Sequence, residues 1–426
     1  MRTRTAKRSI SAVAAVLSLT VTACAAGGSD TAAPKPGGDK LTDFTFTSWN
    51  YGEEAQKELI TAEVAGFTSG KGISAKFSSY PFAEYRNQLL LRSRSKEMDG
   101  AAQVDIADLK SLARLGVLAD LGGYTSKDTY TEAALKNGQV DGKQLGLPWY
   151  TGSIGLVAND GLLKKAGVAA QPKTVSEFEA ALVKVKALGG DYVPYAMTTK
   201  PETVKDFIPW LRTFGSKIVD GDKIAVNDKG AVEALTWIKG LLDQKLISLN
   251  TGRPEARTLY SQGRAAFFDD ANQVRGTLAK QAVDKSIVEG TLPIPRPVVK
   301  EGDVPQSLAW GGVIVVFNHG PVQTSAEFAG FMTSDKDTVL RRYSKIGSAP
   351  ATKTALADPA FAGDAFASTW QQASTVNAQP NPLWAFSKYG QMESVLATQI
   401  QAALIGNKSP QQALDAAAAE MQALAD

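Results

Sequence analysis

The chain has 426 residues, 44% hydrophobic and 21% charged, which is the composition of a globular chain with room for two or three domains and excludes a disordered or multi-span membrane protein. The net charge of +3 depends on four cations among the first 23 residues, and their removal leaves −1, so nucleic acids and anionic membrane surfaces are not expected as partners. One histidine and one cysteine exclude internal disulfides, Cys/His zinc sites and catalysis by several histidines.

The N-terminus has the pattern of an export signal. A basic segment at 1–9 precedes an apolar run at 10–21 that is too short to span a bilayer, so residues 1–23 are predicted to be a signal peptide. The next cysteine, in Val21-Thr22-Ala23-Cys24, resembles the bacterial lipobox cysteine, which predicts acylation of Cys24 (palmitate) in preference to a free or buried thiol. Residues 24–40 lack large apolar side chains and are predicted to be a flexible tether. We expect an exported protein held by lipid at the outer face of the bacterial cell membrane.

The rest of the chain alternates short apolar strands with amphipathic helices, which indicates an α/β fold. Strands are predicted at 44–49, 100–104, 154–158, 265–268 and 313–317. Helices are predicted to begin at Thr174, Thr324 and Ser409, because each is followed three residues later by Glu or Gln, as in a capping box. The Ala-rich end at 413–425 predicts a terminal helix.

Aromatic residues at the predicted strand ends are the first ligand-binding candidates, because open α/β sheets bind ligands there. The candidates are Trp49 with Asn50 and Tyr51, Trp149 with Tyr150, Trp310 with Gly311 and Gly312, and Trp384. A loop has no core to fill, so we interpret the four tryptophans as ligand surfaces. The glycine pair indicates either close approach of the backbone to a ligand or a tight strand entry. Trp237 is assigned to the core, whereas Trp210 fits either role equally.

Polar side chains near other predicted strand ends are the second group of candidates. They are Asp105, Asp270, Asn272, Arg275 and, at the start of a helix, Tyr85. A solvated surface role is the alternative for each. Asp269 and Asp270 are adjacent, so on a strand they would point to opposite faces and could not serve as the paired carboxylates of a glycosidase. The sequence lacks G-x-S-x-G, H-E-x-x-H and P-loop motifs.

An ordered set of motifs resembles the carbohydrate-binding family of ABC-importer solute-binding proteins that includes maltose-binding protein. The motifs lie at 44–50, 99–121, 141–148, 154–159, 165–168, 172–178, 262–266 and 406–414. The resemblance covers about residues 43 to 425. It implies an α/β, two-lobed periplasmic-binding-protein-like type II fold with a multi-strand hinge. Lobe 1 would comprise residues 41–149 plus about 293–347, and lobe 2 would comprise 150–292 plus about 348–426.

The resemblance implies a lipid-anchored receptor that binds a carbohydrate and delivers it to an ABC permease driven by a separate ATPase. The number of aromatics favours an oligosaccharide. No enzyme activity, cofactor or metal is implied, and a monomer is expected. We expect Trp49, Asp105 and Trp310 to come from the first lobe. Asp270, Asn272 and Trp384 are expected from the second, with Trp149 and Tyr150 at the crossing. The alternatives are a lipid-anchored glycoside hydrolase and a receptor for a solute such as a glycerophosphodiester, for which Arg275 and Arg341 leave room.

Overall fold

The computed structural model describes residues 33–38, 40–201 and 203–425; the predicted signal peptide and Cys24 lie outside these residues. The strands are β1 (Phe44–Thr47), β2 (Ala75–Ser78), β3 (Ala101–Asp105), β4 (Gln139–Val140), β5 (Lys143–Gln144), β6 (Leu147–Asn159), β7 (Tyr195–Ala196), β8 (Ile218–Asp220), β9 (Lys223–Ala225), β10 (Phe267–Ala271), β11 (Thr291–Ile294), β12 (Ser307–Val316) and β13 (Ala378–Gln379). Short 3₁₀ helices lie at Gly122–Tyr124, Thr375–Asn377 and Pro382–Ala385.

The α-helices are α1 (Trp49–Gly52), α2 (Glu54–Thr68), α3 (Phe82–Arg94), α4 (Ile106–Ala113), α5 (Glu132–Lys136), α6 (Asp160–Lys165), α7 (Val175–Lys186), α8 (Phe207–Thr213), α9 (Lys229–Asp243), α10 (Arg253–Ser261), α11 (Val274–Gln281), α12 (Lys285–Glu289), α13 (Val322–Ser334), α14 (Lys336–Ile346), α15 (Lys353–Leu356), α16 (Pro359–Ala362), α17 (Ala365–Ala373), α18 (Tyr389–Leu404) and α19 (Pro410–Ala425). Among the described residues, no helix is both long and apolar enough to cross a bilayer.

One sheet runs through the molecule. Within the described part of the chain it has nine strands in the order β2-β1-β3-β12-β6-β10-β7, with β11 also paired to β6 and β13 to β12. Strands β1, β2 and β3 are parallel, whereas β12 is antiparallel to both β3 and β6. The long strands β6 and β12 therefore connect one end of the sheet to the other.

Hydrophobic cores lie on both sides of this connection and define two lobes. One core surrounds β1, β3 and α13 and includes Phe46 and Phe328, and a neighbouring cluster packs under α4. The other core packs α7, α8, α9, α18 and α19 around β10. We call the first part the N-lobe (residues 41–149 and 312–357) and the second the C-lobe (residues 154–308 and 365–425). Strands β6 and β12 pass between them, and Thr151 of β6 donates its amide to the carbonyl of Ala349 at 3.1 Å, which adds residues 347–351 to the crossing.

Strand pairing favours later lobe boundaries than the sequence predicts. Strand β11 pairs with the C-lobe half of β6, and Val298 forms a bridge to Thr174, so residues near 293 still lie in the C-lobe. Thr352 forms a bridge to Tyr130 of the N-lobe. We propose that the chain returns to the N-lobe within β12 and leaves it after α15.

Helix starts follow the predicted caps at two of three positions. Thr174 and Glu177 form a capping box at α7, and Gln412 donates its amide to Ser409 Oγ at α19. The prediction at Thr324 is wrong, because α13 already begins at Val322 after Pro321. Thr324 Oγ1 instead accepts a hydrogen bond from the amide of Thr42.

Four predicted strands differ by two residues or more, and part of the tether also differs. Strand β6 begins at Leu147, not at 154, and β12 begins at Ser307, not at 313. Strand β10 covers 267–271, not 265–268, and β1 ends at Thr47, not at 49. Residues 33–38, predicted to be tether, lie against α13, where the amide of Gly37 donates to Glu327 Oε1 at 2.7 Å. This part of the chain is therefore docked on the N-lobe.

Candidate functional site

An aromatic pair lies where the long strands cross between the lobes. Tyr150 on β6 and Trp310 on β12 have ring centroids 5.1 Å apart, with planes inclined at 33°. Trp310 is half-buried and packs against the cores of both lobes. Tyr150 is 3% exposed, so Trp310 supplies the more exposed aromatic surface of the pair at the lobe junction.

Gly311 and Gly312 leave room for Tyr150. A Cβ at Gly312 would lie 2.5 Å from Tyr150 Cζ, and one at Gly311 would lie 2.9 Å from the Tyr150 carbonyl oxygen. Any other residue at 312 would push the tyrosine ring from its position. Close packing of Tyr150 between the strands, which is neither of the two predicted roles of the pair, therefore accounts for both glycines.

The Tyr150 hydroxyl is held as a neutral hydrogen-bonding group. Gln103 Nε2 donates to it at 3.3 Å, and Gln103 Oε1 accepts from Ser48 Oγ at 2.6 Å. Burial and the nearby Asp105 carboxylate raise the pKa of Tyr150, so the phenol stays protonated at neutral pH. Its proton remains available as a donor.

The N-lobe contributes two carboxylates. Asp105 ends β3 and caps α4, where Oδ1 accepts the Ala107 amide at 3.0 Å, while Oδ2 lies 3.5 Å from Lys205 Nζ of the C-lobe. Glu53 lies between α1 and α2. Burial raises the pKa of Glu53, although Gln56 and the charge of Arg257 oppose this. Each acid thus lies near a cation of the C-lobe: Asp105 near Lys205, and Glu53 near Arg257.

The C-lobe contributes an ordered ion pair on the facing side. Arg257 of α10 donates to both oxygens of Asp270 on β10, at 2.7 and 2.9 Å. Burial alone would raise the pKa of Asp270, but the charge and hydrogen bonds of Arg257 outweigh it and lower the pKa. The carboxylate is therefore ionised and fixed in orientation.

A buried charged array lies behind this pair. Asp269 points to the opposite face from Asp270 and accepts hydrogen bonds from Arg296 and Tyr195. Arg296 in turn lies over the Trp210 ring, and Trp210 Nε1 donates to the Tyr195 hydroxyl at 2.8 Å. This array is interior, so Trp210 belongs to the core and Asp269 supports the strand that carries Asp270.

Direct contacts join the lobes at α4. Asp108 accepts hydrogen bonds from Arg86 of the N-lobe and from the Tyr389 hydroxyl of the C-lobe, and Ser111 Oγ donates to the Ser387 carbonyl at 3.2 Å. Together with the Asp105–Lys205 pair, these contacts hold the lobes together beside the aromatic pair.

Trp384 lies near the contact between the lobes at α4, because it is hydrogen-bonded to Glu393, whose pKa is influenced by Lys205 and Asp108. Its Nε1 donates to Glu393 Oε1 at 3.2 Å, as does Asn381 Nδ2 at 2.8 Å. Burial raises the pKa of Glu393, and the charge of Lys205, the cation 3.5 Å from Asp105, opposes this only in part. Trp384 is half-buried and stays a candidate for the C-lobe wall.

The prediction that Trp149 lies in a loop facing the ligand is wrong. Trp149 is inside β6, 1% exposed, and packs in the N-lobe core against Phe46 and the Arg342 guanidinium. The pairing passes from Gly312–Tyr150 to Val313–Pro148, so Trp149 is the extra residue of a β-bulge. The bulge accommodates Pro148, which has no amide to donate.

The aromatic residues after β1 are mainly internal. Trp49 begins α1 and packs edge to face with Tyr85 at 5.0 Å. The Tyr85 hydroxyl donates to the carbonyls of Thr47 and Gln103, so Trp49 and Tyr85 stabilise the N-lobe. Asn50 is buried, and its backbone amide donates to Gln103 Oε1 at 3.4 Å. Tyr51 is half-buried, and its ring stacks on that of Phe77 with the centroids 4.1 Å apart.

The two predicted ligand residues after β10, Asn272 and Arg275, lie in different places. Asn272 is buried beside Gly152 and donates to the Gly347 carbonyl at 3.4 Å, so it lies at the crossing. Arg275 is exposed and paired with Asp364 at 2.9 Å, in contact with the Phe366 ring. The prediction of Arg275 as a ligand residue is therefore not supported by its position.

Sequence reasoning missed Glu53, Lys205, Arg257 and Glu393. Glu53 could have been found, because it continues the Trp49-Asn50-Tyr51 segment. Lys205, Arg257 and Glu393 give no local signal, since charged residues on loops and helices are usually solvated.

The chain is similar to known bacterial proteins over most of its length. Residues 62–378 match the family described as bacterial extracellular solute-binding protein. A protein of Brucella abortus described as a binding protein is 23% identical over 255 residues, which are 57% of this chain and 59% of that protein. The chain thus spans about three-fifths of the length of that relative.

Two further matches are longer. The diacetylchitobiose-binding protein of Streptomyces coelicolor is 23% identical over 343 residues, covering 78% of this chain and 79% of that protein. The GacH receptor of Streptomyces glaucescens, solved unliganded and with acarbose, superposes with a TM-score of 0.80 at 20% identity, covering 91% of this chain and 99% of that one. This likeness confirms the predicted two-lobed type II fold.

Proposed function

Because the chain belongs to the family of bacterial extracellular solute-binding proteins, we propose that it is a receptor that binds a carbohydrate between its two lobes. The ligand would rest on Tyr150 and Trp310 and be contacted by Asp105 and Glu53 from the N-lobe. Arg257, Asp270 and Trp384 would contact it from the C-lobe. An oligosaccharide is the favoured ligand, because a further half-buried aromatic side chain, Trp384 of the C-lobe, is available beside the pair at the crossing.

The observation that carries the proposal is that the aromatic pair Tyr150 and Trp310 lies beside charged side chains that already have partners of opposite charge. Lys205 lies beside Asp105 and Glu393, and Arg257 is bonded to both oxygens of Asp270. Such pairs keep spare lone pairs and N–H groups for hydroxyls, while the ring faces of a sugar stack on aromatics. A phosphate or carboxylate would instead have to compete with these acids for the arginines and the lysine.

Named relatives support a sugar ligand. The Streptomyces coelicolor protein is named for diacetylchitobiose, a Bacillus subtilis relative is named for arabinooligosaccharides, and the GacH receptor was solved with acarbose.

Export, anchoring and delivery complete the proposal. Acylation of Cys24 would hold the receptor at the outer face of the membrane, where it would deliver the sugar to an ABC permease. The receptor would act as a monomer that binds and does not transform its ligand.

A ligand screen tests the central claim. Thermal shift followed by calorimetry with a panel of di- and oligosaccharides should give a rise in Tm and a saturable heat for one glycan class, because a ligand that binds the folded state stabilises it. Glycerophosphodiesters serve as the charged comparison, and binding to them alone would contradict a neutral-sugar site. New reducing ends that increase with protein concentration would identify a hydrolase. Intact mass of membrane-extracted protein tests Cys24, and an unmodified thiol would refute the anchor.

A further inference from the structure

Residues 33–38 lie against the N-lobe on the side formed by α13 and the 3₁₀ helix at Gly122–Tyr124. The Gly37 amide donates to Glu327 Oε1 at 2.7 Å, and Gln323 Nε2 donates to the Lys35 carbonyl at 2.7 Å. Pro34 is buried. Side chains of one helix thus hold two backbone groups of a segment that precedes β1.

The side chains that hold this segment are fixed by one another. The Tyr124 hydroxyl donates to Glu327 Oε1 at 3.1 Å, and Gln323 Nε2 lies 3.1 Å from both of those oxygens. Gln323 and Glu327 are four residues apart and share one face of α13. Burial and the charge of Glu327 raise the pKa of Tyr124, so its hydroxyl stays a donor at neutral pH. The receiving surface is therefore ordered by its own hydrogen bonds.

Proline and glycine act in opposite ways in the docked segment. Pro34 and Pro36 have restricted φ angles, so they lose little backbone freedom on docking. Gly37 has more freedom to lose, but it is the residue that adopts the docked φ of +81° without strain. Pro36 also forms part of the wall of a cavity of about 400 Å³ beside Phe67 and Lys71, so the segment contributes to the surface of the lobe.

We propose that residues 33–38 form a strap that ties the membrane tether to α13 of the N-lobe. The membrane consequence rests on the proposed acylation of Cys24; docking of the strap does not. With the strap docked, the chain between Cys24 and Pro34 can reach at most about 35 Å. Without it, the first residue packed on the N-lobe core is Leu41, and the reach from Cys24 becomes about 60 Å. The tether joins the N-lobe in either case, and the docked strap shortens its reach, so that the N-lobe is held nearer the membrane than the C-lobe.

Hydrogen exchange tests the docking in detergent-purified protein. The Gly37 amide should exchange at least about tenfold more slowly than in the variant Gln323→Ala/Glu327→Ala, because two hydrogen bonds are lost there. In Gly37→Ala, which leaves α13 intact, the amide of residue 37 should exchange at the same fast rate, because alanine rarely adopts the φ of +81° found there. Lys285→Ala/Glu289→Ala, which removes an exposed pair on α12, is the matched control and should change nothing at Gly37.

An unprotected Gly37 amide in the native protein, or equal exchange in the native protein and the double variant, would overturn the strap. Exchange within α13 should stay slow in every variant, and glycan affinity should be unchanged. If the native protein bound no sugar, the proposed function would be contradicted, but docking of the strap would not. Failure of the proposed function can therefore be distinguished from failure of the strap.

Energy transfer in vesicles tests the consequence for the membrane. The acylated protein carrying a dye at Ser69→Cys, on the exposed end of α2, is inserted into phosphatidylcholine vesicles with an acceptor dye at the lipid surface. Transfer should be higher in the native strap than in Gln323→Ala/Glu327→Ala, because the shorter tether holds the N-lobe nearer. Equal transfer, or no association with the vesicles, would overturn the claim that the strap shortens the tether.

Discussion

Truncating two tryptophans on the crossing strands should separate stability from affinity. Trp149 is 1% exposed, lies 6.1 Å from Phe46 between ring centroids, and has the Arg342 guanidinium 4.6 Å over its ring. Replacing a buried Trp by Ala costs about 3–5 kcal/mol. For a domain of the size of one lobe, this lowers Tm by about 6–20 °C.

Trp310→Ala should have the opposite profile. Its ring is half-buried, whereas that of Trp149 is fully buried, so we expect less than half the stability loss of Trp149→Ala. Stacking contributes about 1 kcal/mol or more beyond area burial. Loss of a stacked sugar ring should therefore weaken binding about tenfold or more.

Thermal and urea unfolding followed by circular dichroism give the stabilities, and titration calorimetry with the glycan found in the screen gives the affinities. Trp237→Ala is the control: this half-buried residue packs on Trp210 at 4.7 Å and donates to Glu179, so stability should fall without a change in affinity. If Trp149→Ala unfolds like the native protein but binds ten times more weakly, the core position of Trp149 is refuted.

Three other substitutions test the crossing, the lobe contact and the charged wall. Gly312→Ala should displace the Tyr150 ring, whose Cζ would lie 2.5 Å from the new Cβ, and reduce affinity more than stability in the same two assays; unchanged affinity would exclude Tyr150 from the site. Tyr389→Phe removes the hydroxyl that Asp108 accepts across the lobes, so small-angle scattering of the unliganded protein should show a larger radius of gyration, and Tyr260→Phe, within the C-lobe, should not; equal radii would contradict the contact. The pKa of Asp270 is lowered in the folded state, so its contribution is present above the unfolded pKa of about 3.9 and is lost as pH falls through the folded pKa. Asp270→Asn should therefore lower Tm most at pH 7, with the difference from the native protein shrinking below about pH 4; a constant difference would contradict ionisation of Asp270.

The sequence predicts the lobe architecture and part of the site. Helix caps at Thr174 and Ser409 are local, and the two lobes follow from motifs spread along the whole chain. Asp105 is predicted because it follows a strand, which is a local property, and the structure adds that it caps α4. Tyr150 and Trp310 are predicted at strand ends or in loops, but both lie within the long strands β6 and β12, so their place at the lobe junction comes from the crossing of these strands.

The failures arise where one residue depends on a distant one. Pro148 suggested a loop, but a bulge opposite Gly312 keeps it in β6 and turns Trp149 into the core. Arg275 and Arg257 look alike as helical cations. Only packing directs Arg257 to Asp270 and Arg275 to Asp364.

The N-lobe is assembled from both ends of the chain, and this affects how the protein can be made. Its central pairing joins Asp105 of β3 to Gly312 of β12, more than two hundred residues later. The first lobe therefore cannot complete its sheet while the intervening C-lobe segment is still being synthesised. Such distant pairings slow folding, because the closure of a long loop precedes the contacts that stabilise it. A chain that folds slowly remains unfolded for longer after synthesis. An unfolded chain is the form that can be exported through a membrane, which suits a protein of an extracellular family.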